Sequence, residues 1–253
     1  MKYFSKTLTL TLGAVALSFA ATSASADTVQ LRYDGANHKP FVSEKIDVKP
    51  GAGTNFKTTD VGQFKMTVQK GGDSTTFTQG QSILAWCVEV TQSVKSSTLY
   101  TIETATQSWT SALTRLFDKY LDKITNSVTS AAMQLAIWEI VGGDTKLNLG
   151  AGNFQAQTPN GGWDAWTNSN SYKAINQAQA WLNDLYNGGE VERKWEVVHL
   201  TSAGAQDLVG VTPYIAISEV PLPGAALMFL SALGVGGLAR RKRAAAQPAK
   251  ALA

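Results

Sequence analysis

The sequence predicts an α+β fold, a β-sandwich or barrel-like body with an inserted helical subdomain, flanked by an N-terminal signal peptide and a C-terminal transmembrane helix. Three observations carry this expectation. Short β-branched or alternating runs fill the first half of the chain and return near its end, apolar residues at helical spacing lie between them, and a charge-free apolar run stands at each terminus. The 253 residues, 44% hydrophobic and 16% charged, exclude a disordered or collagen-like chain and fit one domain with appendages.

At the N-terminus, Lys2 and Lys6 precede the apolar run Leu8 to Ala21, and Ala24-Ser25-Ala26 offers small residues just before Asp27. This is the layout of a secretory signal, with cleavage expected between Ala26 and Asp27. A membrane-spanning helix is the competing reading, but the run is shorter than the roughly 20 residues a bilayer requires. Residues 1–26 are therefore read as a signal peptide and 27–219 as the globular domain.

Within that domain, Val29 to Tyr33, Gly62 to Gln69, Ser74 to Thr78, Ile83 to Thr91 and Tyr100 to Thr104 read as strands, with a turn at Lys70-Gly71-Gly72-Asp73. Trp109, Leu113, Leu116, Phe117, Tyr120, Leu121 and Ile124 then recur at helical spacings, leaving charges elsewhere. A second helix, about Thr129 to Val141, is capped by Ser127 or Thr129, ends at Gly142-Gly143 and is apolar on most sides, so it is expected to be buried. Residues 143–170 read as a long loop that folds over a site, Ser171 to Tyr186 as a third helix, and Val191 to Leu200 and Gln206 to Ile217 as strands.

From Val220 to Ala239 no residue is charged, and Arg240, Arg241, Lys242 and Arg243 follow at once. Such a run spans a bilayer as a helix, and the cationic cluster keeps its end cytoplasmic, leaving the globular domain outside. Ahead of it, Val220-Pro221-Leu222-Pro223 is backbone that resists helix and is open to a protease. This tripartite arrangement over 220–243, with a cytoplasmic tail at 244–253, resembles the PEP-CTERM sorting signal of Gram-negative bacteria, although Leu222 stands where Glu gives the motif its name. The resemblance implies an exosortase-type membrane enzyme as processing partner, a transient inner-membrane anchor, and final delivery to the cell surface or extracellular matrix.

The net charge of +3 changes meaning in this light. Residues 27–219 hold 15 basic and 19 acidic groups, so the basic excess lies in the two terminal signals and no nucleic-acid partner is expected. With only His38 and His199, paired-His and Cys/His metal layouts are absent, and neither a Gly-x-Ser-x-Gly elbow nor a phosphate-cradling Gly loop occurs. No cofactor and no metal are expected. Glu89 and Glu139 do not by themselves make a catalytic pair, and Trp163 and Trp166 in the Gly/Asn-rich loop are either core packing or a stacking surface for sugar.

Cys87 is the sole cysteine of an exported chain, so it has no disulfide partner within the chain. Strand alternation sets Leu84, Trp86, Val88 and Val90 on one face and Cys87 with Glu89 on the other. A small buried hydrophobe is the plain account of such a cysteine. Gln134, however, is a polar amide inside an apolar helix, and a buried amide is costly unless bonded.

Trp86-Cys87-Val88-Glu89 and Gln134-Leu135-Ala136-Ile137-Trp138 together resemble the thioester domains of bacterial surface adhesins, with Met133 and Trp86 departing from the usual residues. The resemblance implies that Cys87 and Gln134 form an internal thioester, shielded from water by Trp86 and Trp138, which captures an amine or hydroxyl once and without turnover. The expected role is adhesion through a surface or matrix target, not enzymatic catalysis. A non-reactive structural envelope or biofilm-matrix protein of the same fold is the alternative, and a hydrolase with an unidentified nucleophile is a more distant one.

Overall fold

The computed structural model describes residues 27–33, 42–104, 107–144, 146–159 and 169–215. The signal peptide with Ala26, the sorting motif Val220 to Pro223, the apolar run after it, Arg240 to Arg243, the tail, His38, Trp163 and Trp166 lie outside them. Among the described residues no helix is long and apolar enough to cross a membrane. The described residues up to Thr212 belong to one compact unit, and Pro213 begins a second.

Among the described residues eight strands form the body: β1 (Thr28–Tyr33), β2 (Val42–Lys49), β3 (Lys57–Gln69), β4 (Ser82–Cys87), β5 (Ser97–Thr104), β6 (Gln155–Gln157), β7 (Trp195–Thr201) and β8 (Leu208–Pro213). Their order is β1-β5-β7-β8-β4-β3-β2-β6, and an additional β1–β3 pairing closes six of them into a barrel, with β2 and β6 extending beyond it. Closure removes the open edges that a flat sheet of this size leaves exposed.

The long β3 makes this possible. Its first half pairs with β2, from Lys57 opposite Val48 to Gln63 opposite Val42. Its second half is flanked by β1, with Met66 opposite Tyr33, and by β4, with Phe64 opposite Ala85. The handover at Gly62 requires glycine, because a Cβ there would stand 2.0 Å from the Val42 carbonyl oxygen. Registers place Val29, Leu31, Tyr33, Met66, Val68 and Tyr100 on the inward face, all buried.

Two sequence expectations fail here. Ser74 to Thr78 is not a strand: the Asp27 carboxylate accepts from Thr75 N at 3.0 Å and from the Thr76 hydroxyl at 2.9 Å, holding this segment as bends. The strand read over Ile83 to Thr91 ends at Cys87, after which Val88 N donates to the Asp207 carbonyl and the chain turns. Conversely β2 is a strand the sequence reading lacks, and the segment 143–170, read as loop, contains β6.

Among the described residues three α-helices cover the barrel: α1 (Thr110–Tyr120), α2 (Ser127–Val141) and α3 (Asn170–Asn187). In α1, Leu113, Leu116 and Phe117 face inward, and Phe117 packs on Trp86 with ring centroids 5.1 Å apart. In α3 the buried Ala174, Ala178, Trp181 and Leu182 follow the helical period, and Trp181 stacks on Tyr120 at 4.7 Å.

The start of α2 is set by a capping box in which Asn126, and not Ser127 or Thr129, is the cap: its side chain accepts from Thr129 N, while the Thr129 hydroxyl accepts from Asn126 N. Every residue from Ser130 to Ile140 is buried, because β2 and β3 cover one side of the helix and α3 another. Ser130, fully buried, accepts from Gln63 N at 2.9 Å and donates to the Val42 carbonyl at 2.7 Å, tying α2 to the β2–β3 seam. Replacing Ser130→Ala strips the partner from a buried N–H and from a carbonyl, and is expected to cost about 1–3 kcal/mol. Urea denaturation of the variant checks this, and a midpoint unchanged from the parent refutes it.

Candidate functional site

β4 parts from β3 just where α2 crosses it. Continued by two residues, the register that sets Ala85 against Phe64 would place Cys87 opposite Gly62, but the β3–β4 ladder stops at the Phe64–Ala85 pair and the edge of β4 beyond it is left open. Gln134 fills the opening. Its Oε1 accepts from Cys87 N at 2.9 Å and its Nε2 donates to the Cys87 carbonyl at 2.8 Å, both bonds buried. A carboxamide carries the same donor and acceptor as a peptide group, so one side chain replaces one residue of a missing strand. Gln134 is fully buried, with both amide functions satisfied.

Cys87 shares the inward face of Ile83 and Ala85 and is a free, buried thiol. Burial pushes its pKa well above the ordinary thiol value, so the group is a neutral SH at physiological pH. Tyr100 lies close enough for its own acidity to feel the cysteine: burial first, then the Cys87 charge, raise its pKa. The Tyr100 hydroxyl donates to the Gln206 carbonyl at 3.3 Å, and the Gln206 amide donates in turn to the Glu89 carbonyl. Glu89 Oε2 is buried without a partner.

Trp86 sits on the opposite face of β4, fully buried against Phe117, so it closes the outer side of the strand that carries the thiol. Trp138, one turn beyond Gln134, is buried against Phe154 with ring centroids 5.7 Å apart. His199 stands on the outer face of β7, opposite the face of Leu200; Gly210, which shares the face of Ala85, abuts Leu200 and Val198. That histidine is therefore turned away from Cys87, with Nδ1 receiving the Gln107 Nε2 donor at 3.1 Å. Among the described residues no cluster of three or more His, Cys, Asp or Glu is arranged to hold a metal.

The sequence reading did not find Ser130, Tyr100 or Gln206. Ser130 is the first buried polar residue of α2, four positions before Gln134, and that spacing is the signal that pairs them on one face.

Glu139 ends the polar series on α2. It is fully buried, its Oε1 accepts from Asn148 N at 2.7 Å, and its Oε2 has no partner. Burial, opposed by the Asn148 N–H and reinforced by Asp144, pushes its pKa up from 4.5 to about 7.

No protein-family model matches the chain, and no curated protein matches it. Among solved structures, the N-terminal domain of the Streptococcus pyogenes pilus tip adhesin Cpa is similar with a TM-score of 0.40 and 12% sequence identity, over 72% of this chain and 99% of that chain.

The Glu139 carboxyl sets a pH dependence. Since the folded state holds the proton more tightly than the unfolded state, this group's contribution is fully present below pH 4.5 and is lost as pH rises through about 7. Thermal melts between about pH 5 and pH 8 are expected to show stability falling with pH, and Glu139→Gln, which keeps an acceptor for Asn148, to flatten that slope. An equal slope in both proteins would refute the assignment.

Proposed function

We propose that this chain is an exported protein of the cell surface or matrix that builds a thioester between Cys87 and Gln134 and uses it for one covalent attachment. The observation that carries the reading is the two-point clamp of the Gln134 carboxamide on the Cys87 backbone, at 2.9 and 2.8 Å, in a buried site. It holds the electrophilic carbon beside the residue that bears the nucleophile, which is the proximity such a reaction needs.

The chemistry balances without a cofactor. The Cys87 sulfur attacks the Gln134 Cδ, a C–S bond forms, the C–N bond breaks, and the thiol proton leaves with the departing ammonia. An incoming amine then forms a new C–N bond at the same carbon, breaks the C–S bond and returns a proton to sulfur; a hydroxyl gives an ester in the same way. The Cys87 N–H already donates to the carbonyl oxygen on which negative charge develops in both steps, and such a fixed donor stabilises a tetrahedral intermediate. Burial favours the bonded state as well, because a thioester is uncharged whereas the free thiolate is penalised. Trp86 and Trp138 limit water on either side.

The terminal segments supply the address: export through 1–26, and membrane holding and exosortase-type processing through 220–243. A second reading is favoured by the same clamp, since a carboxamide that completes an open strand edge is useful in a purely structural protein.

Intact mass separates the two. The thioester form is expected about 17 Da below the mass calculated for the processed chain, rising by about 31 Da on methylamine treatment, with neither change in Cys87→Ala. A full-mass, folded protein whose Cys87 alkylates readily without denaturant would establish the structural reading instead.

A further inference from the structure

We propose that residues 88–96 form a strap that closes the barrel mouth beside Cys87, and that Gln206 is the latch that holds it shut. The inference deepens the reading of the Cys87–Gln134 site, because it concerns access to that site, and it applies whether Cys87 carries an acyl bond or a free thiol.

The strap follows from topology. In the closed order β1-β5-β7-β8-β4-β3, β4 and β5 stand three places apart whichever way the ring is followed, so they face each other across the lumen. They are nevertheless consecutive in the chain, and residues 88–96 have to cross the barrel end at which β4 stops and β5 begins. The hydrogen bonds trace that crossing. Val88 N donates to the Asp207 carbonyl at 3.0 Å, beside β8, and Tyr33 N, at the end of β1, donates to the Ser96 carbonyl at 2.9 Å. Between these points Val94 is buried in the core, while Thr91, Gln92, Ser93, Lys95 and Ser96 are exposed. Cys87 is the last residue of β4 and faces the lumen, so the mouth that the strap crosses is the one nearest the thiol.

The strap has no ladder of its own, since residues 88–96 are bends and irregular backbone. One buried residue outside it holds its middle. Gln206 N donates to the Ser93 carbonyl at 3.2 Å, its side-chain Nε2 donates to the Glu89 carbonyl, and its own carbonyl accepts from the Tyr100 hydroxyl at 3.3 Å. Gln206 thus ties the strap to the start of β8 and to the ring that reaches over from β5. On the other side of Cys87, α2 is held by its capping box, by Ser130 and by packing against β2, β3 and α3. A segment with one apolar anchor and few backbone bonds opens at a lower free energy than a buried helix, so the strap gives way first. Lifting it bares Cys87 from the lumen side and frees the end of β4 to part from α2.

Glu89 works against the latch. Its Oε2 is buried without a partner while the strap is down, and water satisfies that oxygen once the strap lifts. Gln206 and Val94 therefore hold the strap closed, and the Glu89 carboxylate favours release.

The rate of modification at Cys87 in the full-length chain, in mild detergent, reads the opening: capture of methylamine where the acyl bond is present, alkylation by iodoacetamide where the thiol is free. In the parent this rate is expected to be nearly independent of urea below about 1 M, because local opening exposes little surface. Gln206→Ala, which removes the tie to Glu89, is expected to raise the rate about tenfold with the same flat urea dependence, and Val94→Ala to raise it too. Glu89→Gln, which takes the charge from under the strap, is expected to lower it severalfold. A chain without a thioester overturns the earlier reading and leaves this one standing, since iodoacetamide then reports the same opening. The strap is overturned if Gln206→Ala and Glu89→Gln both react at the parent's rate. It is equally overturned if the parent's rate climbs with urea along the slope of global unfolding, a measurement that decides the matter even if Gln206→Ala fails to fold.

Discussion

The parting of β3 from β4 is the constraint around which this molecule is arranged. Where β3 exchanges β1 for β2, and where its ladder with β4 ends, peptide groups are left without a strand neighbour, and here they are Gln63 on β3 and Cys87 on β4. Water does not satisfy them, because α2 lies over the seam and these contacts are buried. Two side chains of α2 do so instead, four residues apart on one helix face: the Ser130 hydroxyl at the β2–β3 junction and the Gln134 amide at the end of β4. The helix must consequently be buried, correctly rotated and fixed along its axis to within a fraction of a hydrogen-bond length. Its capping box at Asn126 and Thr129, its apolar contacts on every side and the packing of α3 behind it all serve that placement.

Polar groups in such a helix are specific because they are costly. An apolar helix slides or rotates by one residue with modest loss, since one aliphatic contact replaces another. The same slip here would leave two backbone N–H groups, two carbonyls and the Gln134 amide unbonded in a dry interior, each a penalty of about 1–3 kcal/mol. The polar pair therefore sets a unique register between helix and barrel, and it does so at the position that brings a carboxamide against a cysteine. Fold specificity and site geometry are one requirement.

Much of this was legible in the sequence and some was not, for physical reasons. Gln134 stood out because an amide within Ala131 to Val141 has no cheap place in a buried helix, and Cys87 because a lone thiol in an exported chain lacks a disulfide. Ser130 did not, since serine is ordinary near a helix start. β2 was missed because Glu44, Lys45, Asp47 and Lys49 break its apolar pattern: it bridges β3 and β6 at the periphery of the barrel, and only Ile46, Asp47 and Val48 are buried. The threonine-rich stretch after Ser74 reads as a strand by propensity, but a carboxylate 48 residues earlier holds it in bends. Local pattern cannot register such a partner. Closure of the barrel through β1 and β3 is likewise a long-range fact, carried by no residue type.

Burial also governs what the cysteine can do. The usual reactive thiol is exposed and beside a cation, with its pKa lowered; Cys87 is buried, its pKa is raised, and the described histidine lies on the far side of the barrel wall. As a free nucleophile toward outside molecules it is poorly placed. In the proposed thioester the same burial would work in the opposite direction, because water would be kept from the acyl carbon and an uncharged bond is preferred to a buried thiolate. An external nucleophile would then have to open the seam between β4 and α2 to reach that carbon, which would break the hydrogen bond from Cys87 N–H to Gln134 Oε1 unless the two residues moved together. In the proposed thioester form, capture would couple to the contact that holds helix and barrel in register, so such a site would react slowly at rest and faster when the seam is strained or locally unfolded.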